Sequence, residues 1–323
     1  MTDPLVLLGE VQTSLLPNSF ALPHDRVAEL LTLLPGQPLA RRQRPVALAI
    51  SPNTIHGVDT GLATLSRSGR RAVGRAIGTV ASRAVVTGGR IAQSSSSTRV
   101  IRAEVPERRP WLHYLAGVGT VELISKITDT AADDLARGFL DSADGGTLDL
   151  RSISERLLTR MRMDQSLDHQ VPLRTAATRT RWAARVSSQP EGSERHVAFR
   201  LESETLRSIR IVVPDVRELD WVQRFCEDMA VHDWLLTTLT MALQAVVPGE
   251  DGITVAAPVL EHLIHLWMPS AHMPATLRPL WTLLETEAGF SRQWNAQIGQ
   301  LRDMVAVATL RALRANDVRG NDW

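Results

Sequence analysis

The stretch GTVASRAVVTGGRIAQSSSSTRVIR, residues 78–102, places two strand-like runs on either side of the pair Gly88-Gly89. Runs rich in β-branched residues and bounded by turn residues are typical of strands. Primed hairpin turns need positive φ angles, which glycine adopts without steric cost, so the pair predicts a tight β-hairpin. We interpret SSSST, residues 94–98, as the polar face of an edge strand.

Further strand-like runs precede this hairpin. LVLLGEV (residues 5–11) and PVALAI (residues 45–50) are short apolar runs between turn residues. Between them, VAELLTLL (residues 27–34) has a helical pattern that Pro35 ends. SRSGRRAVG (residues 66–74) has the composition of an exposed, mobile loop. Residues 1–108 are therefore predicted to form an antiparallel, β-rich N-terminal half.

The pattern becomes helical over residues 109–165. We predict one helix over WLHYLAGVGTVELISKI, residues 111–127, and a second helix that begins after Asp149. An aspartate at the N-cap accepts hydrogen bonds from free backbone N–H groups and suits the positive end of the helix dipole.

A second β unit and a long helix occupy residues 172–247. TRTRWAARV (residues 178–186), RHVAFRLE (residues 195–202) and TLRSIRIVV (residues 205–213) alternate with period two. They predict a three-stranded antiparallel meander. Asp215 is the expected cap of a long helix that packs one apolar face on this meander. Whether the two β regions share one sheet is left open.

The remaining residues, 248–323, read as a helical C-terminal extension. The expected fold class is α+β, with a body over residues 1–247 and this extension behind it. A stripe of apolar residues over residues 291–315 gives the clearest helical pattern of the extension. Exposed C-terminal helices also raise the hypothesis of a homo-oligomer.

Composition excludes several classes of chemistry. The chain has 323 residues, 44% of them hydrophobic, and no run of the roughly 18 apolar residues that span a bilayer. We therefore expect a cytoplasmic protein without a signal peptide or membrane span. The single cysteine, Cys226, excludes an intramolecular disulfide, and Lys126 is the only lysine, which leaves little room for Schiff-base or P-loop lysine chemistry.

Positive charge is concentrated in one segment. The net charge of the chain is +1, but residues 41–109 carry thirteen arginines against three acidic residues. Such a segment can bind an acidic protein or the phosphates of nucleic acid. No aromatic residue lies between Phe20 and Trp111, so a stacking platform for single-stranded nucleic acid is missing there. The predicted partner-binding residues are Arg41, Arg42, Arg44, Arg67, Arg70, Arg71 and Arg75.

The stretch EHLIHLWMPSAHM, residues 261–273, is the candidate metal site. Its possible ligands are Glu261, His262, His265 and His272. If Pro258 begins a helix, the first three share a solvent-facing side, and ordinary surface interactions account for them. The order of residues also lacks the HExxH pattern of zinc proteases. We favour the solvated face and expect no cofactor.

His232 and Asp233 are the weak catalytic candidates. Neighbouring residues of a helix point about 100° apart, so these two side chains are not expected to bond to each other. Cys226 lies on the apolar side of the same predicted helix and is expected to behave as a small hydrophobic residue. GxSxG, Walker and GxGxxG patterns do not occur in the sequence.

Five blocks of the sequence resemble an uncharacterised actinobacterial protein family: LLGEVQTSLL, GTVASRAVVTGGR, RPWLHYLA, RTRWAA and CEDMAVHDWLLTTL. The resemblance covers roughly residues 5 to 247. It implies a gene cluster that also encodes a variant P-loop protein and a protein similar to SAM-dependent methyltransferases, and it assigns no catalytic residue. A P-loop protein is therefore one partner that the resemblance implies.

Together these features predict a non-catalytic accessory or assembly subunit that docks a protein partner through its basic N-terminal region. Two alternatives stay open: an enzyme with a His/carboxylate site, with or without zinc, and a nucleic-acid-binding protein.

Overall fold

A computed structural model describes residues 4–124, 131–141, 147–187, 195–245 and 252–320. Within these ranges the chain forms one mixed sheet of ten strands and eight α-helices. The strands are β1 (Val6–Leu15), β2 (Ala40–Arg42), β3 (Leu48–Ile50), β4 (Thr54–Leu65), β5 (Arg71–Thr87), β6 (Ile91–Arg102), β7 (Thr120–Ile124), β8 (Thr178–Val186), β9 (His196–Leu201) and β10 (Leu206–Val213). The helices are α1 (His24–Leu30), α2 (Trp111–Ala116), α3 (Ala131–Asp141), α4 (Leu150–Arg162), α5 (Leu219–Gln244), α6 (Gly252–His262), α7 (Arg278–Glu287) and α8 (Phe290–Gly320).

The predicted glycine hairpin is confirmed. β5 and β6 pair antiparallel up to Thr87 and Ile91, and Gly88 and Gly89 both have left-handed backbone conformations, with φ of 61° and 64°. A side chain at either position would also meet neighbouring atoms, Leu266 at Gly88 and the Leu22 backbone at Gly89. Glycine is therefore required in this turn both for its φ angle and for the close packing.

β1 joins the two predicted β regions into one sheet. It pairs antiparallel with β6 on one side and with β8 on the other. At the β1–β8 boundary, a Cβ atom on Gly9 would lie 2.1 Å from the buried Trp182 indole. The strand order is β2-β3-β5-β7-β6-β1-β8-β10-β9, with β4 paired to β5 outside this path.

The predicted antiparallel meander is wrong in its strand order. β9 and β10 form the expected antiparallel hairpin, but β10 lies between β9 and β8 and runs parallel to β8. The apolar residues explain the order, since Ile209, Ile211 and Val213 of β10 are fully buried, whereas β9 is largely exposed. The more apolar strand takes the interior position, and the tight turn to β9 then fixes its direction.

The predicted helix over residues 111–127 ends early, at Ala116, and its residues 125–127 lie outside the described part of the chain. α2 stops before Gly117, and residues Thr120–Ile124 form strand β7, whose alternate side chains are buried. Gly119 has a φ of 64°, which a helix does not accommodate. β7 pairs with β5 and with β6, so tertiary pairing overrides the local helical pattern.

SSSST belongs to a central strand and not to an edge. β6 is paired on both sides, and Ser94 to Thr98 are all buried. Four of these five hydroxyl groups have hydrogen-bond partners, and the buried Ser94 hydroxyl has none among the described residues. Ser96 bonds to Ser154 of α4 at 2.7 Å, and Ser97 donates to Gln223 of α5 at 3.0 Å.

The helices cover the two faces of the sheet. α3 and α4 pack on one face, and α5 packs on the other. The predicted cap at Asp149 is confirmed, since it accepts from the Ser152 N–H at the start of α4. Asp215 does not cap α5 directly: it accepts from the Arg217 N–H and caps the 3₁₀ turn Val216–Glu218, which leads into α5. The α+β class and the helical C-terminal region are also confirmed.

The C-terminal helices share the core that α5 forms with the sheet. This core contains Trp182, Phe225 and Trp234 together with Trp281 and Phe290 from the C-terminal region. Pro258, which we expected to begin a helix, lies inside α6. Among the described helices, none combines the length and the apolar character needed to cross a membrane.

Candidate functional sites

The predicted partner-binding arginines fall into two separate groups. Arg41 and Arg42 belong to β2, which reaches β5 near Thr87 through β3, and Arg44 follows β2. Arg67 and Arg70 lie in the turn between β4 and β5, and Arg71 and Arg75 lie in the first residues of β5, at its other end. β5 has 17 residues, and at about 3.3 Å per residue it is on the order of 50 Å long. One continuous basic surface through all seven arginines is therefore not formed.

Three of the seven arginines contact other residues, and four do not form ion pairs with described residues. Arg42 donates to the His272 carbonyl at 3.4 Å, and Arg75 forms a bidentate pair with Asp59 at 2.9 Å. Arg67 lies 3.8 Å from Asp133 and is largely exposed. Within the described part of the chain, the four remaining side chains are exposed and make no ion pair: Arg41, Arg44, Arg70 and Arg71.

An exposed apolar surface lies over the middle of the β4–β5 hairpin, near Arg75 and Arg108. Leu112 of α2 is 81% exposed, and Trp111, Leu115 and Val118 are also open to solvent. Trp111 packs on Gly57 of β4, and the Thr79 hydroxyl of β5 donates to the Gly117 carbonyl after α2 at 2.8 Å. α2 is thereby fixed on the outer side of the β4–β5 hairpin. Sequence reasoning missed this surface because we expected one longer helix here.

The strand register connects α2 to the arginines. Arg71, Val73 and Arg75 alternate along β5 with the same parity as Thr79, so they lie on the face that carries α2. Asp59 accepts from Arg75 and lies 3.6 Å from Arg108, whose guanidinium lies 5.6 Å from the Trp111 ring centre. We call this surface the docking face: Ile55, Arg70, Arg71, Val73, Arg75, Arg108, Trp111, Leu112, Leu115 and Val118.

His232 is a buried, fully engaged side chain. Its Nε2 atom accepts from the Met268 N–H at 3.2 Å, which assigns the hydrogen to Nδ1, where it is donated to the Asp228 carbonyl at 2.6 Å. The ring also lies edge-on to Trp267 and Trp281. Both nitrogen atoms are thus occupied by backbone groups, and neither is free to act as a base.

Asp233 points away from His232, as the helix geometry predicts. It forms a buried pair with Arg207 of β10, in which the Nε–Oδ2 distance is 2.6 Å. Arg207 also donates to the Ser203 and Glu204 carbonyls of the β9–β10 turn and to Thr237. Burial raises the pKa of Asp233 to about 6, against the opposing effect of Arg207. This pair ties the hairpin to α5.

The raised pKa of Asp233 has a testable consequence. Between its ordinary value of 3.8 and about 6, the folded state holds a proton that the unfolded state has released. The stability from this group is therefore greatest at low pH and is lost as the pH rises through 6. Between pH 7 and pH 5, we expect the stability difference between wild type and Asp233→Asn to shift by about 1 kcal/mol in favour of wild type. Urea denaturation of both proteins at the two pH values measures this shift, and a difference that stays constant contradicts it.

The candidate metal ligands do not gather. Glu261 and His265 are exposed, and α6 ends at His262, so His265 lies in a separate turn of 3₁₀-helix. Burial and the nearby Arg90 lower the pKa of His262 and of His265. His272 bonds through Nε2 to the Val46 carbonyl at 2.9 Å. In the described ranges, no three His, Cys, Asp or Glu side chains come together in a way that holds a metal ion.

A cleft lies where α5 meets the segment that follows α6. We call it the α5 cleft, and its polar wall contains Arg224, Asp228, His232 and His272. It encloses about 550 Å³ of empty space, including the solvent at its mouth. Cys226, by contrast, lies in the core, where burial raises the pKa of its thiol well above the ordinary value.

Comparisons with protein-family models, with curated proteins and with solved structures find no match. The resemblance to an actinobacterial family therefore stays a prediction.

Proposed function

We propose that the protein is a non-catalytic accessory subunit that binds an acidic protein partner through the docking face. The observation that carries this proposal is the group of exposed apolar side chains on α2, set next to the exposed arginines Arg75 and Arg108. Contiguous apolar surfaces rimmed by polar residues are typical of protein-binding sites. The basic N-terminal region was predicted to dock a partner, and we now assign this role to the arginines of the docking face alone.

The apolar part of the docking face favours a folded protein or an amphipathic helix as partner. Leu112, Leu115 and Val118 are each more than half exposed, and Trp111 is partly exposed. Leu112 and Leu115 lie three residues apart, on one side of α2. Aromatic and arginine side chains are enriched in protein interfaces, and burial of such apolar groups provides most of the affinity.

The charge of the docking face favours an acidic partner. Asp59 is already paired with Arg75 and Arg108, so these three groups together leave a net positive charge. Arg70 and Arg71 add exposed charges at the hairpin turn. A complementary acidic surface would accelerate association and exclude basic competitors.

Self-association through α8, which exposes Val307, Leu310 and Leu313, stays a prediction as well.

Two pairs of variants test the docking face. In pull-downs from a lysate of the native host, Leu112→Asp with Leu115→Asp is expected to weaken capture of the partner by at least about 30-fold, as loss of an interface hot spot does. Arg70→Glu with Arg71→Glu is expected to weaken capture mainly at low salt, where long-range attraction is strongest. All four residues are exposed, so the fold should be retained, which circular dichroism checks.

Matched variants outside the docking face provide the control. Arg41→Glu with Arg44→Glu changes the same charge at the first arginine group, and Leu201→Asp changes an exposed leucine of β9. We expect both controls to capture an acidic partner as wild type does, in the presence of nuclease. Equal capture by the α2 variant and wild type would refute the proposal. Loss of the captured material on nuclease treatment would favour nucleic-acid binding instead.

A further inference from the structure

The α5 cleft has the form of a small-molecule site. One wall is apolar and is formed by Val46, Leu48, Ile50, Val85, Val231 and Met273. The walls surround about 550 Å³ of empty space, part of which is open solvent, and small-molecule sites are typically clefts lined by apolar side chains with a few polar groups. The cleft is lined by α5, β3, β5 and the segment after α6, and it shares no residue with the docking face.

Asp228 presents an unpaired oxygen to this cleft. Its Oδ2 atom accepts from the Ser270 N–H at 2.8 Å and from the Trp281 indole N–H at 3.0 Å. The nearest basic atom to Oδ1 is Nδ1 of His232 at 3.8 Å, and the hydrogen of that nitrogen is donated to the Asp228 carbonyl. Within the described part of the chain, Oδ1 accepts no hydrogen bond. Burial raises the pKa of Asp228, against the opposing effects of His232 and of the hydrogen bonds from Ser270 and Trp281.

Arg224 presents the opposite charge, one helical turn earlier on α5. Its guanidinium lies 5.5 Å from the ring centre of Trp221. It makes no hydrogen bond or ion pair to any described residue. The nearest carboxylate, Glu227, is already held by a bidentate pair with Arg83 at 2.8 and 2.7 Å. Burial, together with the nearby Arg83 and Arg42, lowers the pKa of Arg224, so an anion at this point would be stabilising.

Arg224 and Asp228 do not neutralise each other. Opposite charges four residues apart on a helix usually pair, but here Asp228 turns toward Ser270 and Trp281 while Arg224 lies against Trp221. Two partly desolvated charges of opposite sign therefore face one apolar cleft. A neutral ligand would leave both of them unpaired, and a simple anion would leave Asp228 unpaired.

We propose that the α5 cleft binds a small zwitterion with an apolar side chain, in the manner of an aliphatic α-amino acid. The ammonium group contacts Oδ1 of Asp228, the carboxylate contacts the Arg224 guanidinium, and the side chain lies against the apolar wall. Both ligand contacts are charge-assisted hydrogen bonds, which are stronger than neutral ones. The remaining contacts come from burial of the aliphatic group.

Three related compounds test the ligand class on the purified full chain. L-leucine carries both charges, L-leucinamide lacks the carboxylate, and 4-methylpentanoate lacks the amine. By isothermal titration calorimetry, we expect leucine to bind with one-site saturation and the two analogues to bind at least about tenfold more weakly, because each loses a charged hydrogen bond. Leucine should also raise the melting temperature, since it binds the folded state alone.

Variants of the two charged residues locate the site. Arg224→Gln and Asp228→Asn should each weaken leucine binding by at least about tenfold. Asn keeps an oxygen that can accept from Ser270 and Trp281, so the fold is expected to survive. Arg217→Gln and Asp220→Asn, which change exposed residues in the turn before α5 and in its first turn, are matched controls and should bind as wild type does.

Three results would overturn the proposal. The first is that leucine, methionine and phenylalanine all fail to bind at up to about 10 mM, which would saturate a site of millimolar affinity. The second is that both analogues bind as tightly as leucine. The third is that leucine binds both cleft variants as it binds wild type. Each of these results leaves the docking proposal unaffected.

Discussion

Replacing Gly9 by alanine is expected to lower the free energy of unfolding by about 3 kcal/mol, at the upper end of the cost of overpacking a core. The new methyl group would lie 2.1 Å from the Cε2 and Cζ2 atoms of Trp182. Trp182 is fully buried, and its indole belongs to the core between the sheet and α5. Interiors are close-packed, so the ring can move aside only by displacing its neighbours. Urea denaturation measures the loss.

Two further variants of this protein separate the effect of overpacking from a general effect of losing glycine. Gly299 of α8 has no atom within 4 Å of an added methyl group, so Gly299→Ala should stabilise the protein by about 0.5–1 kcal/mol. Trp182→Leu provides space for the added methyl group. In that background, Gly9→Ala should lower the free energy of unfolding by at least about 1 kcal/mol less than it does in the wild-type background. Equal costs of Gly9→Ala in both backgrounds would exclude the clash as its cause.

Local signals account for the elements that were predicted correctly. The Gly88-Gly89 turn, the cap at Asp149 and the long helix α5 each depend on residues that are close in sequence. Turn chemistry and capping act over a few residues, so they can be recognised without knowledge of the tertiary structure. The Gly9–Trp182 contact was beyond reach for the opposite reason, because its partners are distant in sequence.

Tertiary pairing decides the features that were predicted wrongly. The hydroxyl-rich strand β6 resembles an exposed edge until α4 and α5 supply partners such as Ser154 and Gln223. β7 has a helical pattern in sequence, and only its pairing with β5 and β6 makes it a strand. β10 takes the interior position because it is more apolar than β9. A prediction made for each strand separately does not compare the two strands and so misses their order.

The candidate sites were less predictable than the fold. The arginines were predicted as one region because they are close in sequence, but the long strand β5 carries them to opposite ends. The α5 cleft joins residues near 46, 224–232 and 266–273, and no spacing rule links these segments. The only sequence signal was the four-residue spacing of Arg224 and Asp228, which usually indicates an ordinary surface ion pair.

Removing the Arg207 side chain is expected to destabilise the protein more than any surface charge change. Arg207 is 3% exposed, and all three nitrogen atoms of its guanidinium group donate hydrogen bonds, one of them to Asp233. Arg207→Met would leave the Asp233 carboxylate buried without a cation and would free the carbonyls of the β9–β10 turn. Breaking a buried pair in this way costs about 3–5 kcal/mol.

Two comparisons decide whether the buried charge causes this loss. Arg26→Met removes one partner of the exposed pair between Arg26 and Glu29, and such pairs contribute only about 0–1 kcal/mol. Adding Asp233→Leu to Arg207→Met removes the stranded carboxylate, and apolar replacement of a whole buried pair is often neutral. We therefore expect the double variant to be more stable than Arg207→Met alone in urea denaturation. If Arg207→Met lowers the free energy of unfolding no more than Arg26→Met does, then removing Arg207 leaves no uncompensated charge in the core. In that case the Arg207–Asp233 pair does not hold the β9–β10 hairpin to α5.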